Sequence, residues 1–463
     1  VISTVRRAAA VLPLLALAAC GSRATLRVSP SRGGAADPPP REDAGALDAG
    51  PIADAGAPCG PPVVETCNGR DDDCDGFVDE ALPFGEAAPA LVVRDMEGST
   101  GDCVSCRWAG GVDVLPFAES LVVVWRLGFD GSRPQANAFA REIGRDGFPR
   151  GEPEVLFDRN VTNGFRAAVA PDGAQASLAF CGRFGTDDVM ASAYLAATPG
   201  LRLLRQPRER QPVGFGCGAM LPDGILGADT GLFGWINNRG SEEAVLLDPV
   251  DADGSSLGGR RLLDDDGDYA IPPRFARRGD DFAVVLGTRG PRRTSSLRWI
   301  GLDRFGVTTA AVEVPSDPER PFSRATLAPA LDGWLIVAAT DRRDAFGHFL
   351  LRVGLEGTIL EGPTFIDDGV RWGSVDLEPL PGGGFALGGQ IAPADGDPTV
   401  AVARLDAAGR QTDLWVPETP ITFGLGGYGL VADGPLVRFA FPAPVPGDGL
   451  PNRVLLHTLG CVP

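Results

Sequence analysis

From about residue 90 onward the chain alternates short apolar runs with polar turns at a fixed period. A polar turn leads into an apolar run at AESLVVVW from residue 118, PDGAQASLAF from 171, PDGILGADTGLFGW from 222, RGDDFAVVLG from 278, LDGWLIVAAT from 331, PGGGFALGG from 381 and ADGPLVRFAF from 432. A second landmark, a turn glycine after an apolar run, recurs at Gly147, Gly200, Gly254, Gly306, Gly357, Gly409 and Gly460. Both series count seven units of about 52 residues. Apolar runs of this length, bounded by Gly, Asp and Pro and lacking sustained helical periodicity, predict strands. The sixth unit reads as four of them: SVDLEPL, FALGGQI, TVAVARLD and RQTDLWVP.

Four short strands repeated seven times predict an all-β fold, a seven-bladed β-propeller over residues 90–463, each blade burying a face it could not bury alone. Six or eight blades are alternatives, because the first and third units are the least regular. A tandem of β-sandwiches fits less well, since its repeat is near 90 to 100 residues. The last unit ends at its third strand, NRVLLHTLGCVP, so ALVVRDM at 90–96 is expected to supply the missing outer strand and lock the ring.

The first 82 residues have no such pattern. Residues 1–20 carry Arg6 and Arg7 before an apolar run with a small-residue end, the pattern of a signal peptide; the run is short for a bilayer span and holds Pro13. Leu17-Ala18-Ala19-Cys20 resembles a bacterial lipobox, which implies lipidation of Cys20, and Gly21 behind it favours the outer membrane. Residues 21–58 are small residues, prolines and aspartates with little to bury, which predicts a disordered tether.

Residues 59–82 hold the most readable chemistry. Asp71, Asp73 and Asp75 alternate, Gly76 permits a reversal, the Phe77 carbonyl adds a backbone oxygen, and Asp79 with Glu80 closes the run. Calcium takes six to eight oxygens at about 2.3–2.6 Å, and convergent carboxylates from one short segment supply them. No flanking helix or twelfth-position glutamate completes an EF-hand. The stretch from Cys67 through Asn68, Gly69, Asp71, Asp72, Asp73, Cys74, Asp75 and Gly76 to Asp79 and Glu80 resembles the short metal-binding motif of the MopE-like family of bacterial surface and secreted proteins. That resemblance implies metal binding. Copper belongs to a namesake whose site uses other residues, and carboxylate oxygens suit calcium better.

Charge and cysteine content narrow the setting. A net charge of −19 argues against a nucleic-acid partner, which needs a basic face. Nine cysteines less a lipidated Cys20 leave eight, suited to four disulfides in an oxidising compartment. The pairings favoured are Cys67 with Cys74, Cys181 with Cys217, and Cys461 with Cys103 or Cys106, Cys59 taking the other. Cys103-Val-Ser-Cys106 lacks the βαβ context of a redox pair.

Catalytic signatures are scarce. His348 and His457 lie on apolar strands away from any nucleophile elbow, zinc helix or phosphate loop, and Trp125, Trp235 and Trp334 read as core. Asp264-Asp265-Asp266-Gly267-Asp268 is dense in acid without full ligand alternation, and with Asp367-Asp368 it reads as solvated turn. The expectation is therefore a non-enzymatic, lipid-anchored protein of the outer membrane or cell surface, whose propeller binds an extracellular protein or glycan. The alternative is a propeller hydrolase or lyase using loop carboxylates at one end of the channel.

Overall fold

The computed structural model describes residues 83–462 except 96–105, 130–137, 158–159, 185–186, 197–200, 214–221, 238–243, 265–267, 290–294, 341, 343–344, 394–397, 419–426 and 445–450. Within them the repeat becomes seven four-stranded antiparallel sheets and no helix. The chain opens on β1 (Phe84–Asp95). The first blade is β2 (Cys106–Pro116), β3 (Ser120–Phe129), β4 (Ala138–Gly144) and β5 (Pro149–Phe157). The second is β6 (Asn160–Val169), β7 (Gln175–Phe184), β8 (Asp187–Ala196) and β9 (Arg202–Val213). The third is β10 (Asp223–Leu226), β11 (Thr230–Asn237), β12 (Ala244–Asp251) and β13 (Arg261–Asp264). The fourth is β14 (Asp268–Arg278), β15 (Asp281–Arg289), β16 (Ser295–Leu302) and β17 (Thr308–Pro315). The fifth is β18 (Phe322–Ala330), β19 (Gly333–Thr340), β20 (His348–Gly354) and β21 (Ile359–Ile366). The sixth is β22 (Val370–Pro379), β23 (Phe385–Pro393), β24 (Thr399–Leu405) and β25 (Gln411–Trp415). The seventh, β26 (Gly429–Asp433), β27 (Leu436–Pro444) and β28 (Pro451–Cys461), takes β1 as its fourth strand.

The first strands of successive blades touch one another in turn, β2 to β6, β10, β14, β18, β22, β26 and back to β2, so the seven blades form a closed ring. Closure is the antiparallel pairing of β1 with β28, from Phe84 opposite Cys461 to Asp95 opposite Arg453. The closing strand was expected at 90–96; it begins at Phe84.

Burial follows the radius of the ring. Second strands lie between blades on both faces and read as continuous apolar runs, as in β19, buried along its whole length. Fourth strands face water and alternate or lose their apolar residues, as in β21 and β17. Apolar clusters accordingly fill the spaces between neighbouring blades, for example Trp299 with Trp334 and Trp372 with Phe385. Trp125, Trp235 and Trp334 are core, as expected. Each large buried aromatic contributes on the order of 3 kcal/mol of transfer free energy.

The turn glycines have one job. Gly147, Gly254, Gly306, Gly357 and Gly409 all take φ between 73° and 84°, closing the turn from third to fourth strand. An aspartate commonly caps it: Asp303 Oδ1 accepts from the Phe305 and Val307 amides. Gly460 differs, lying inside β28 opposite Gly85, because the seventh blade has no fourth strand of its own to turn into. Gly200 lies outside the described residues.

Candidate functional site

The inner strands place one residue each at the same height around the channel. Asp113, Arg166, Asp223, Arg274, Thr326, Asp376 and Gly429 pair with Val124, Ala179, Gly234, Val285, Val337, Gly388 and Ala440, equivalent positions of the seven second strands. The ring therefore reads Asp, Arg, Asp, Arg, Thr, Asp, Gly. Gly429 is the gap for a steric reason: a Cβ there would come within 2.5 Å of the Asp113 Cα.

Two aspartates stitch neighbouring blades. Asp113 Oδ1 accepts from its neighbour Val114 N at 2.9 Å, and Oδ2 from Ala167 N in the next blade at 2.8 Å. Asp223 repeats this with Gly224 N and, across the blade boundary, Phe275 N, both at 2.9 Å. Asp376 instead reaches across the channel. One oxygen accepts from Arg166 Nη1 at 3.0 Å and the other from Arg274 Nη2, so a single carboxylate ties the second, fourth and sixth blades together.

Toward the hairpin turns that end the inner strands, the ring opens on a cavity of about 300 Å³, lined also by Arg277 and by Glu378. Burial dominates the electrostatics. It pushes the Asp113 carboxyl up to about 7, helped by Asp376 and opposed by Arg166 and the two amides. Glu378 is pushed up to about 8 by burial, then by the charges of Asp376 and Asp113, against one backbone bond to Ala432. Asp223 is raised by burial, with Arg274 opposing. Burial also raises the Tyr428 hydroxyl, and Asp376 adds to it. Burial opposes the charge on Arg166, yet Asp376, Tyr428, Asp113 and Asp223 outweigh it and raise its pKa. One small cavity thus holds two acids that exchange protons near neutral pH, beside paired guanidinium groups, which is the equipment of general acid–base catalysis.

The residues singled out from sequence fare differently. Asp71, Asp73, Asp75, Phe77, Asp79 and Glu80 lie outside the described residues, as do Cys20, Cys59, Cys67, Cys74, Cys103 and Cys217. Cys106 opens β2. Cys181 and Cys461 are each disulfide-bonded, and their partners are not among the described side chains. Of the acidic turn, Asp264 ends β13, Asp268 begins β14, and residues 265–267 between them lie outside the described residues. Among the described residues no group of His, Cys, Asp and Glu could hold a metal ion.

Both histidines are buried and paired through Nδ1, His348 with Asp368 at 2.8 Å and His457 with Glu86 at 2.6 Å. Asp368 also accepts from Trp372 Nε1 at 2.9 Å, so it is a buried bridge between the fifth and sixth blades and not the solvated turn residue expected. The channel carboxylates were expected from loops and come from inner strands instead. The only signal for them is positional: in six of the seven units the same place in the first strand holds a charged residue or threonine, among other polar residues that the sequence alone does not set apart.

No protein-family profile matches the chain, and no curated protein matches it in sequence. Solved structures do match in shape. Puromycin hydrolase is 18% identical with a TM-score of 0.46, over 78% of this chain and 53% of that one. The phage phi92 endosialidase is 9% identical with a TM-score of 0.47, over 82% and 70%. Prolyl oligopeptidase B from Galerina marginata is 12% identical with a TM-score of 0.41, over 73% and 48%. The chain spans about half the length of the first and the last of these. At such identities the likeness is one of fold. The expectation of a non-enzymatic propeller is corrected on the channel itself, whose inner strands bring two acids of raised pKa, Asp113 and Glu378, to one cavity where the sequence offered only loop carboxylates.

Proposed function

We propose that the propeller is a hydrolase or lyase whose reaction centre is the cavity below the channel ring. The observation that carries this reading is Asp113, buried, and Glu378, half-buried, two acids with pKa values of about 7 and about 8 lining one cavity. At neutral pH a substantial fraction of Asp113 is ionised and can take a proton from water or from a carbon acid. Glu378 is mostly protonated and can deliver one to a leaving group. Asp376 fixes Arg166 and Arg274 so that their remaining N–H groups can meet charge developing on the substrate. A cavity of about 300 Å³ admits the polar end of an extracellular glycan or peptide and not a whole chain.

The setting of that activity rests on the sequence of the first 82 residues. It comprises a lipid anchor at Cys20 in the outer membrane or cell surface, the tether 21–58, and a calcium loop at Asp71, Asp73, Asp75, Phe77, Asp79 and Glu80. Metabolic labelling with a fatty-acid analogue, lost in Cys20→Ala, tests the anchor. Calcium titration of the wild type against Asp73→Ala tests the loop.

The catalytic reading is tested by screening the full chain against glycoside, ester, amide and uronate substrates. Activity is expected to peak between the two pKa values and to fall about 10²–10⁴-fold in Asp113→Asn. Turnover that survives both Asp113→Asn and Glu378→Gln would refute it.

A further inference from the structure

We propose that the His457–Glu86 pair is an acid-released latch on the strand that closes the ring: protonation of His457 frees β1 from β28 and uncovers the β28 edge. The latch is independent of the catalytic reading, since neither residue lines the channel cavity.

β1 completes the seventh blade from the far end of the chain, and little apolar burial holds it there. Among its described side chains only Val93 is buried. Three register breaks interrupt its ladder with β28, against one between β27 and β28. His457 falls in one of those breaks, between Leu456 opposite Leu91 and Thr458 opposite Ala88, and its side chain reaches over to Glu86. Two further bonds reach this strand: the Val93 carbonyl accepts from Arg141 Nη1 at 2.7 Å, and the Pro83 carbonyl just ahead of it from the Val462 amide at 2.8 Å. Of these pins the histidine is the one whose ordinary titration range lies near neutrality.

The imidazole sits in an apolar slot. It stacks on Phe441, with ring centroids 5.0 Å apart and planes 8° from parallel, and lies 5.0 Å from Trp415 of the sixth blade. The Glu86 carboxylate can only accept, so Nδ1 carries the proton, and Nε2 is buried with no hydrogen-bond partner among the described residues. A second proton has to go onto Nε2, making a charged N–H donor with nothing to accept from it. Burial accordingly lowers the His457 pKa, and Glu86, whose side chain is 40% exposed, restores only part. Other charged side chains on the surrounding strands are Arg94 on β1, Arg404 on β24, Asp413 on β25, Arg438 on β27 and Arg453 on β28 itself, and of all these only Glu86 acts on the imidazole. The stability that closure draws from neutral His457 is therefore full above about pH 6.5, the value of a free imidazole, and is lost as the pH falls toward the lower value of the closed form. Phe441 and Trp415 are tied into the apolar cluster between the sixth and seventh blades, so the imidazolium reaches water at least cost by lifting β1. The β28 edge is then open to another strand.

The test is hydrogen exchange of the full chain, read by mass spectrometry as protection factors over β1 and, as an internal control, over β19. Between about pH 7.5 and about pH 5 the wild type is expected to lose protection in β1 roughly threefold to thirtyfold, the ceiling being set by the distance of about 1.5 pH units below a free imidazole. β19 should keep its protection. His457→Gln keeps a neutral donor to Glu86, and His457→Phe keeps the aromatic stack, so in both the protection of β1 should not fall with acid. Glu86→Gln still accepts from Nδ1 but removes the counter-charge, so it should lose at least as much protection as the wild type over the same range. Wild-type β1 protection that ignores pH, an acid loss that persists in the histidine variants, a loss abolished in Glu86→Gln, or a fall shared by β19 overturns the proposal.

Discussion

Replacing Glu378 by glutamine isolates the energetic consequence of burying an acid in the channel. In the folded chain its pKa is about 8 against an ordinary 4.5, with burial the main cause. Between those values the folded protein keeps a proton that the unfolded chain has released. Stability from this group is thus full below about pH 4.5, declines as pH rises toward 8, and is level above it. At about 1.4 kcal/mol for each tenfold change in protonation, the decline amounts to about 5 kcal/mol. Glutamine keeps the shape, stays neutral and can still accept the Ala432 amide, so the variant lacks this decline. Asp113, raised from 3.8 to about 7, and Asp223, also raised by burial, contribute declines of the same sign in both proteins, so the difference between the two proteins isolates Glu378. The assay is urea unfolding at intervals from about pH 5 to about pH 9, with the slope checked for constancy. The variant should gain on the wild type as pH rises to about 8 and hold that lead above it. Two stability curves that run parallel across that range would refute the argument, since they would mean Glu378 ionises in the folded chain at little cost.

Asp376→Ala should destabilise the fold by about 3–5 kcal/mol in denaturant, because it strands two largely buried guanidinium groups at once. Gly429→Ala should cost about 1–3 kcal/mol or more in a thermal melt, since its Cβ would meet the Asp113 backbone and the first and seventh blades would have to part. Asp368→Ala removes the partner of His348 Nδ1, Trp372 Nε1 and the Val370 amide, and about 2–4 kcal/mol should be lost in urea unfolding. Removal of residues 1–95 takes away β1 and leaves β28 an open edge, so size-exclusion chromatography should find aggregate or dimer in place of monomer.

The architecture is legible in the chain itself. Strands buried on both faces must be apolar throughout, and turns need Gly and Asp, so a period of about 52 residues follows from local chemistry repeated seven times. The incomplete seventh unit pointed to its own completion by the strand ahead of the first, because an unpaired edge in a ring has one supplier. Gly460 was misread, since a glycine in a strand and one in a turn look alike until pairing is known.

The site was another matter. Asp113, Arg166, Asp223, Arg274 and Asp376 are spread over more than half the sequence, and nothing local marks any of them out from the other polar residues of these strands. Only ring closure brings them to a common height, and only burial there turns ordinary carboxyls into acids of about 7 and about 8. Desolvation and charge pairing depend on what surrounds a side chain in three dimensions, and seven strands converging on one axis is a property of the assembled ring. Composition and period determined the propeller; the channel chemistry was decided by the tertiary structure.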